Sequence, residues 1–393
     1  MTLRTLDDIG EVAGTRVFVR VDLNVPLHAG AISDDSRIAA VVPTLRELLG
    51  RGAGLVCASH LGRPGGRPDP HLTMAPVGER LAQLLDNEVV AVDSPAPSPG
   101  DLPDAPVVLL GNLRFDPGEE ADDPAFAGRL AELADAYVDD AFGAVHRRHA
   151  SVSALPELLL ASGRPAVAGR LLEREVRVLG ELLTDPARPY VAILGGAKVS
   201  DKLQVIDALL ERVDALLIGG AMAFTIIAAR GGRVGTSLVE RDRFDDVRAS
   251  LEKAEQLGVR ITLPVDVLAA AAMDPSEPVR TVAADAIPDE LMGLDVGPAT
   301  VAAFSEVIAG AKTVLWNGPM GVFEMTPFAA GTNGVAAAIA DAAAFTVVGG
   351  GDSLSAVKQA GLEGRFDHLS TGGGASLEFL EGHTLPGIAI LED

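Results

Sequence analysis

The chain has 393 residues, 48% of them hydrophobic, with a formal net charge of −23 and one cysteine, Cys57. That length fits about two domains. The acidic surplus argues against nucleic acid or an anionic membrane as partner, and a lone cysteine excludes an internal disulfide or a thiolate-rich metal site.

No apolar run reaches the roughly 18 residues of a membrane span, and the N-terminus lacks the apolar stretch of a signal peptide. A cytoplasmic protein with no membrane partner is expected. Arg16–Val21 reads as a strand, and Ile38, Val41, Val42, Leu45, Leu48 and Leu49 then fall at helical spacing after polar residues 33–36. Residues 55–58, 107–110 and 136–139 continue the strand series, with a proline-punctuated surface loop at 95–106. Residues 169–183 are charged and amphipathic, which predicts a rigid helical connector. Beyond it the alternation restarts, with strands at 190–194, 215–218, 260–263, 313–315 and 345–348. Strands alternating with helices predict an α/β protein of two lobes, each a parallel sheet flanked by helices.

Unusual segments cluster after the strands, where open parallel sheets bind ligands. In the first lobe these are Arg20-Val21-Asp22-Leu23-Asn24-Val25-Pro26, Ser59-His60-Leu61-Gly62-Arg63-Pro64, Asn112-Leu113-Arg114-Phe115 and the stretch from Asp140 to His149 that contains Arg147, with Arg37 opening the first helix. Guanidinium forks match phosphate and carboxylate oxygens, so a small, doubly anionic molecule with a hydroxyl is the expected ligand. Any one of these arginines alone reads better as the partner of a surface acid; four clusters, all after strands, reverse that reading. His146 and His149 flank Arg147 without a Ser or Cys nucleophile signature or a carboxylate spacing for metal.

The second lobe carries glycines and lysines. The chain has five lysines, none before Lys198, and two of them share Gly195-Gly196-Ala197-Lys198-Val199-Ser200-Asp201-Lys202. Glycine amides plus lysine cradle polyphosphate. Further segments are Gly219-Gly220-Ala221, Asn317-Gly318-Pro319 with Glu324, Gly349-Gly350-Gly351-Asp352-Ser353, and Thr371-Gly372-Gly373-Gly374. The last two precede helical patterns, whose N-termini bind phosphate. Asp352 suits Mg²⁺, which takes one or two carboxylates plus phosphate oxygens. Neither a Gly-x-x-x-x-Gly-Lys-Ser/Thr loop nor a dinucleotide fingerprint is present, which disfavours a P-loop enzyme and a dehydrogenase.

These motifs, in order from Arg20 to Leu385-Pro386-Gly387, resemble the phosphoglycerate kinase family along essentially the whole chain. The resemblance implies two Rossmann-like lobes joined by a hinge helix: residues 1–168 with the tail 383–393, the interdomain helix 169–184, and a nucleotide lobe at 185–382. It implies direct phosphoryl transfer between 1,3-bisphosphoglycerate and MgADP, giving 3-phosphoglycerate and ATP, by a monomer. By position, Asp22, Leu23, Asn24, Arg37, His60, Leu61, Gly62, Arg63, Arg114 and Arg147 would hold the triose. Lys198, Lys202, Gly219, Gly293, Asn317, Glu324, Gly350, Gly351, Asp352 and Ser353 would hold ADP or ATP, with Mg²⁺ on Asp352. Arg37, Lys198, Gly350 and Gly373 would act at the migrating group. Four residues depart from the family pattern: Gly111 for Glu, Asp139 for Asn, Arg148 for a small residue and Ala221 for Gly. None of them removes a phosphate ligand.

Overall fold

The computed structural model describes residues 2–28 and 30–392. The chain divides into two compact units, one running to Val178 and resuming at Thr384, the other Leu179–His383. The first boundary falls within the helix Arg170–Thr184.

In the first unit six parallel strands lie in the order Val89–Ala91, Val107–Leu109, Gly54–Ala58, Arg16–Val21, Ala136–Asp140, Ala166–Ala168. Arg16–Val21 is buried from Val17 onward, as a central strand covered on both faces must be. The chain builds outward from it in one direction and then returns to its other side at Ala136–Asp140. The crevice beyond the strand ends therefore opens between these two strands. The helix Ser36–Gly50 buries Ile38, Val41, Val42, Leu45 and Leu48 in the same cluster as Val17, Val19, Leu55 and Val138. The C-terminal residues belong to this unit: Arg4 donates its N–H to Leu391 O at 2.9 Å and Gly387 donates to Val145 O at 2.9 Å.

The second unit repeats the plan with the order Arg260–Thr262, Ala215–Ile218, Tyr190–Leu194, Thr313–Asn317, Phe345–Gly349, His368–Leu369, again all parallel. Its switch point lies between Tyr190–Leu194 and Thr313–Asn317. The loops leaving those strands cross in contact: Gly195 N–H donates to Asn317 O at 3.0 Å and Gly196 N–H to Pro319 O at 3.1 Å. A Cβ on Gly195 would sit well inside the Pro319 carbonyl oxygen, so only glycine permits this crossing.

Several elements were not expected from the sequence. The strands Val89–Ala91, Ala166–Ala168 and His368–Leu369 have only two or three residues, too few for a period. Residues 260–263, 313–315 and 345–348 form strands that end at Thr262, Asn317 and Gly349. An antiparallel sheet of Arg280–Ala283, Asp266–Ala270 and Met292–Val296 also stands beside the main one. Its central strand runs into an alanine tract without a period that marks a strand, and Arg280–Ala283 is mostly exposed. Among the described residues no helix is long and apolar enough to cross a membrane.

Two buried acids end the strand Ala136–Asp140. Asp140 accepts the N–H groups of Leu171 and Leu172 at 2.9 and 3.2 Å, capping the first turn of the helix Arg170–Thr184, and burial pushes its carboxyl up to about 7. Asp139 accepts from Ala141 N–H at 2.9 Å and from Tyr137 Oη at 3.0 Å, and burial raises it to about 6. A carboxyl whose folded pKa lies above its unfolded 3.8 lowers stability as pH rises through that interval. Replacing Asp139 by Asn should therefore stabilise the fold, by about 1 kcal/mol more at pH 8 than at pH 5. Urea midpoints of both proteins at the two pH values measure this; a pH-independent difference would contradict it. Gly195→Ala should cost about 2–3 kcal/mol in the same assay. Gly351→Ala, whose Cβ meets nothing within 4 Å, should stay within about 0.5 kcal/mol of wild type. Equal effects would remove the steric argument.

Candidate functional site

The strand ends of the first unit hold one continuous polar frame. Asp22 and Asn24 follow the central strand, and Arg37 stands in the first turn of the helix Ser36–Gly50. Arg37 Nη1 donates to Asp22 Oδ2 at 2.9 Å and to Asn24 O at 3.3 Å. Asn24 Oδ1 accepts from Gly62 N–H at 2.9 Å, and Arg114 Nη1 donates to Gly62 O at 2.8 Å. Leu23 N–H donates to Ser59 Oγ, while Asn112 takes the Leu61 N–H and returns its amide to Leu61 O. Three strand-end loops are thereby held to one another, and Asp22, Leu23, Asn24, Arg37, His60, Leu61, Gly62 and Arg114 come together. Arg63 is exposed and lies outside this frame. Arg147 is exposed too, yet its charge is felt at both Arg114 and His149.

Electrostatically this edge is positive. Burial, reinforced by Arg20, Arg114, Arg37 and His149, holds His60 well below the usual imidazole value. Burial and neighbouring cations likewise lower His149 to about 4. Both are neutral at physiological pH. Beneath them lies Glu119, fully buried, which accepts Ser151 N–H at 3.0 Å and Ser151 Oγ–H at 2.6 Å. Burial raises the Glu119 carboxyl although Arg20 pulls the other way.

In the second unit the segments meet around the loop crossing. Lys202 Nζ donates to Asn317 Oδ1, and burial holds its ammonium below the ordinary lysine value despite Asp201, Asp352 and Glu381. Ser353 Oγ accepts the Gly318 N–H at 2.6 Å, tying the start of the helix Gly351–Gln359 to the end of Thr313–Asn317. Gly350 turns into that helix at φ +91°, a conformation that favours glycine, with Asn317 Nδ2 against it. That Nδ2 is buried and has no hydrogen-bond partner, an orphan donor suited to an anionic oxygen. Lys198 is exposed, and Gly373 (φ +56°) enters the helix Gly374–Leu380, which packs on Leu203–Leu210.

Beside this nest lies a cavity of about 500 Å³ bounded by Ala221, Phe224, Met320, Gly293, Glu324 and Asp352, a size and lining typical of small-molecule sites. Gly219 lies under Met320 and Gly293 under the Phe224 ring, each too close for a Cβ. Among the described residues no group of three or more His, Cys, Asp or Glu side chains is placed to hold a metal. Asp352 is a single exposed carboxylate on the first helical turn, next to the orphan amide. That donor set fits Mg²⁺ carried by phosphate oxygens.

Some contributors escaped the sequence reading. Met273 and Val267 line the cavity, but apolar side chains are indistinguishable from core by composition, and buried Asp295 lines it too, from a stretch with no cation signal. Ser151 and Glu119 were also missed, and Arg20, named in the first strand-end segment, was not distinguished there as the buried member of the set. An arginine inside the otherwise apolar strand Arg16–Val21 was the one available signal.

Comparison with known proteins identifies the family. The family model described as Phosphoglycerate kinase matches residues 6–383. Phosphoglycerate kinase of Salinispora tropica is 57% identical over 406 residues, covering 100% of both chains, and that of Thermus thermophilus is 54% identical, covering 99% of this chain and 100% of the relative. Among solved structures, phosphoglycerate kinase from Coxiella burnetii aligns with a TM-score of 0.89 at 37% identity, covering 99% of each chain. The enzyme from Pyrococcus horikoshii aligns at 0.85 and 32%, covering 99% of this chain and 98% of that one. The chain belongs to the phosphoglycerate kinase family.

Proposed function

We propose that this chain transfers the acyl phosphate of 1,3-bisphosphoglycerate reversibly to MgADP, giving 3-phosphoglycerate and ATP, as a cytoplasmic monomer acting in glycolysis and gluconeogenesis. The observation that carries this reading is the shared frame of Asp22, Asn24, Arg37, Gly62 and Arg114 at one strand edge, in a chain of this family. A triose bearing two anionic ends needs such spaced guanidinium groups, with Asp22 and Asn24 to receive its hydroxyl. Residues 1–168 with the tail 383–393 would form the triose lobe, and 185–382 the nucleotide lobe.

Phosphoryl transfer passes through a loose transition state, so the protein chiefly positions and neutralises. An oxygen of the ADP β-phosphate attacks the acyl phosphorus in line, the bond from phosphorus to the carboxyl oxygen breaks, and the carboxylate leaves; no phosphoenzyme forms. Arg37 and Lys198 flank the migrating group, and the amides of Gly350 and of residues 372–374 meet its equatorial oxygens. Lys202, with Asn317, holds the nucleotide phosphates, Gly219 and Gly293 seat Met320 and Phe224 in the wall of the adenine pocket, and Glu324 takes a ribose hydroxyl. Mg²⁺, arriving with the nucleotide and held by Asp352, supplies charge neutralisation at the phosphates. Because these charges are drawn from both lobes, transfer requires hinge closure about helix 169–184, which also expels water.

A coupled assay with ATP and a panel of hydroxy acids tests the assignment. 3-Phosphoglycerate should be at least about 100-fold better in kcat/KM than any other acid; a better substrate elsewhere in the panel overturns it. Arg37→Ala should lower kcat by about 10²–10³ while ADP affinity stays within about twofold. Turnover near wild type would remove Arg37 from the mechanism.

A further inference from the structure

Arg20 lies inside the central strand of the first unit, fully buried, yet its guanidinium touches the triose edge through one side chain. Its Nε donates to Ser151 Oγ at 2.8 Å, its Nη1 to Val21 O at 2.5 Å, and its Nη2 lies 3.1 Å from His60 Nδ1. Ser151 Oγ, while accepting from Arg20, donates to Glu119 Oε1 at 2.6 Å. A chain of hydrogen bonds therefore runs from a buried carboxylate through a hydroxyl and a guanidinium to an imidazole.

The last link decides the state of that imidazole. A guanidinium has five N–H donors and no acceptor, so the 3.1 Å contact is a hydrogen bond only if His60 Nδ1 carries no proton. The neutral ring must then bear its proton on Nε2. An imidazolium would set N–H against N–H. The charged and titratable groups facing His60 are Arg20, Arg37, Arg114 and His149, and every one opposes protonation. Glu119, at the far end of the hydrogen-bond chain, is engaged by Ser151, and Asp22 is engaged by Arg37.

We propose that Arg20, anchored by Ser151 and Glu119, is a positioning residue that locks His60 in the Nε2–H tautomer, so that His60 serves as a permanently neutral hydrogen-bond donor to the anionic triose. The proposal rests on the reading of this edge as the triose site. A neutral donor suits that site. With three guanidinium groups already present, the ring adds a directed N–H bond without another charge to desolvate. A pH-dependent imidazolium would make triose affinity vary across the physiological range.

The test is imidazole nitrogen NMR of the full-length, ligand-free protein, ¹⁵N-labelled at histidine, from pH 5.5 to 8.5. His60 should show a bare Nδ1 and a protonated Nε2 throughout, without titrating. An Nδ1–H tautomer, or an imidazolium appearing within that range, overturns the proposal, and this reading requires no variant to fold. The companion variant is Arg20→Met with Glu119→Gln, which removes the guanidinium together with the carboxylate it reaches through Ser151; Asp139, on which Arg20 also acts, keeps its bonds from Ala141 N–H and Tyr137 Oη. In it His60 should mix tautomers or begin to titrate. KM for 3-phosphoglycerate should rise by about tenfold or more, the worth of one hydrogen bond to a charged acceptor, with KM for ATP unchanged. A folded double variant with the wild-type tautomer and wild-type KM also overturns it. If the tautomer is as expected but 3-phosphoglycerate neither binds nor reacts, the functional reading fails and the relay stands.

Discussion

Arg20 is withdrawn from water completely, and a guanidinium so placed costs several kcal/mol unless its donors are met and its charge answered. Ser151, the Val21 carbonyl and His60 give each of its three nitrogens a partner, and Glu119 answers the charge through Ser151. The arginine edge of the first unit, the proposed triose site, depends on this buried pairing. Above Arg20, half-buried Arg37 bonds Asp22 and Asn24 O, and buried Arg114 bonds Gly62 O and pairs with Glu120 at 3.2 Å. Exposed pairs such as Arg148–Asp122 or Arg188–Asp214 carry no such weight, since surface ion pairs contribute about 0–1 kcal/mol.

The second unit solves a related problem with less formal charge. On the proposed reading its anion-binding groups are backbone amides at helix starts, beside loops after Leu194 and Asn317 that pass one another at glycine-width distance. The Ser353 bond to Gly318 fixes the helix start relative to that crossing, and Lys202 is held in place by Asn317. Two lysines and a set of fixed dipoles then serve the proposed site, because dipoles cost no desolvation when the ligand arrives. This division of labour explains why arginine serves the first unit and lysine with glycine the second. Guanidinium forks read a small, rigid, two-ended anion, whereas amides and ammonium tolerate a flexible polyphosphate.

The sequence was most legible where chemistry forces rare residue types into fixed places. The arginine and glycine segments after Val21, Ala58, Leu194, Asn317 and Gly349 stand at strand ends because parallel sheets leave only that edge for ligands. The main strands were legible because double-sided burial makes them continuously apolar. Asp266–Ala270 was not, since its Ala-rich continuation carries no period that separates strand from helix. Glu119 was hidden for another reason. Its importance lies in a contact with Ser151, 32 residues away, and nothing in Pro117-Gly118-Glu119-Glu120 distinguishes a buried carboxylate from its exposed neighbour.

The division into a guanidinium edge for the triose and an amide nest for the nucleotide is read most directly by backbone amide chemical-shift mapping of the full-length protein, titrated separately with 3-phosphoglycerate and MgADP. The account predicts that the triose moves the amides of Leu23, Asn24, Gly62 and Arg114, and that the nucleotide moves those of Gly196, Ala221, Gly293 and Gly351. Triose-induced shifts centred on the glycine loops, or nucleotide-induced shifts centred on the arginine edge, would contradict it.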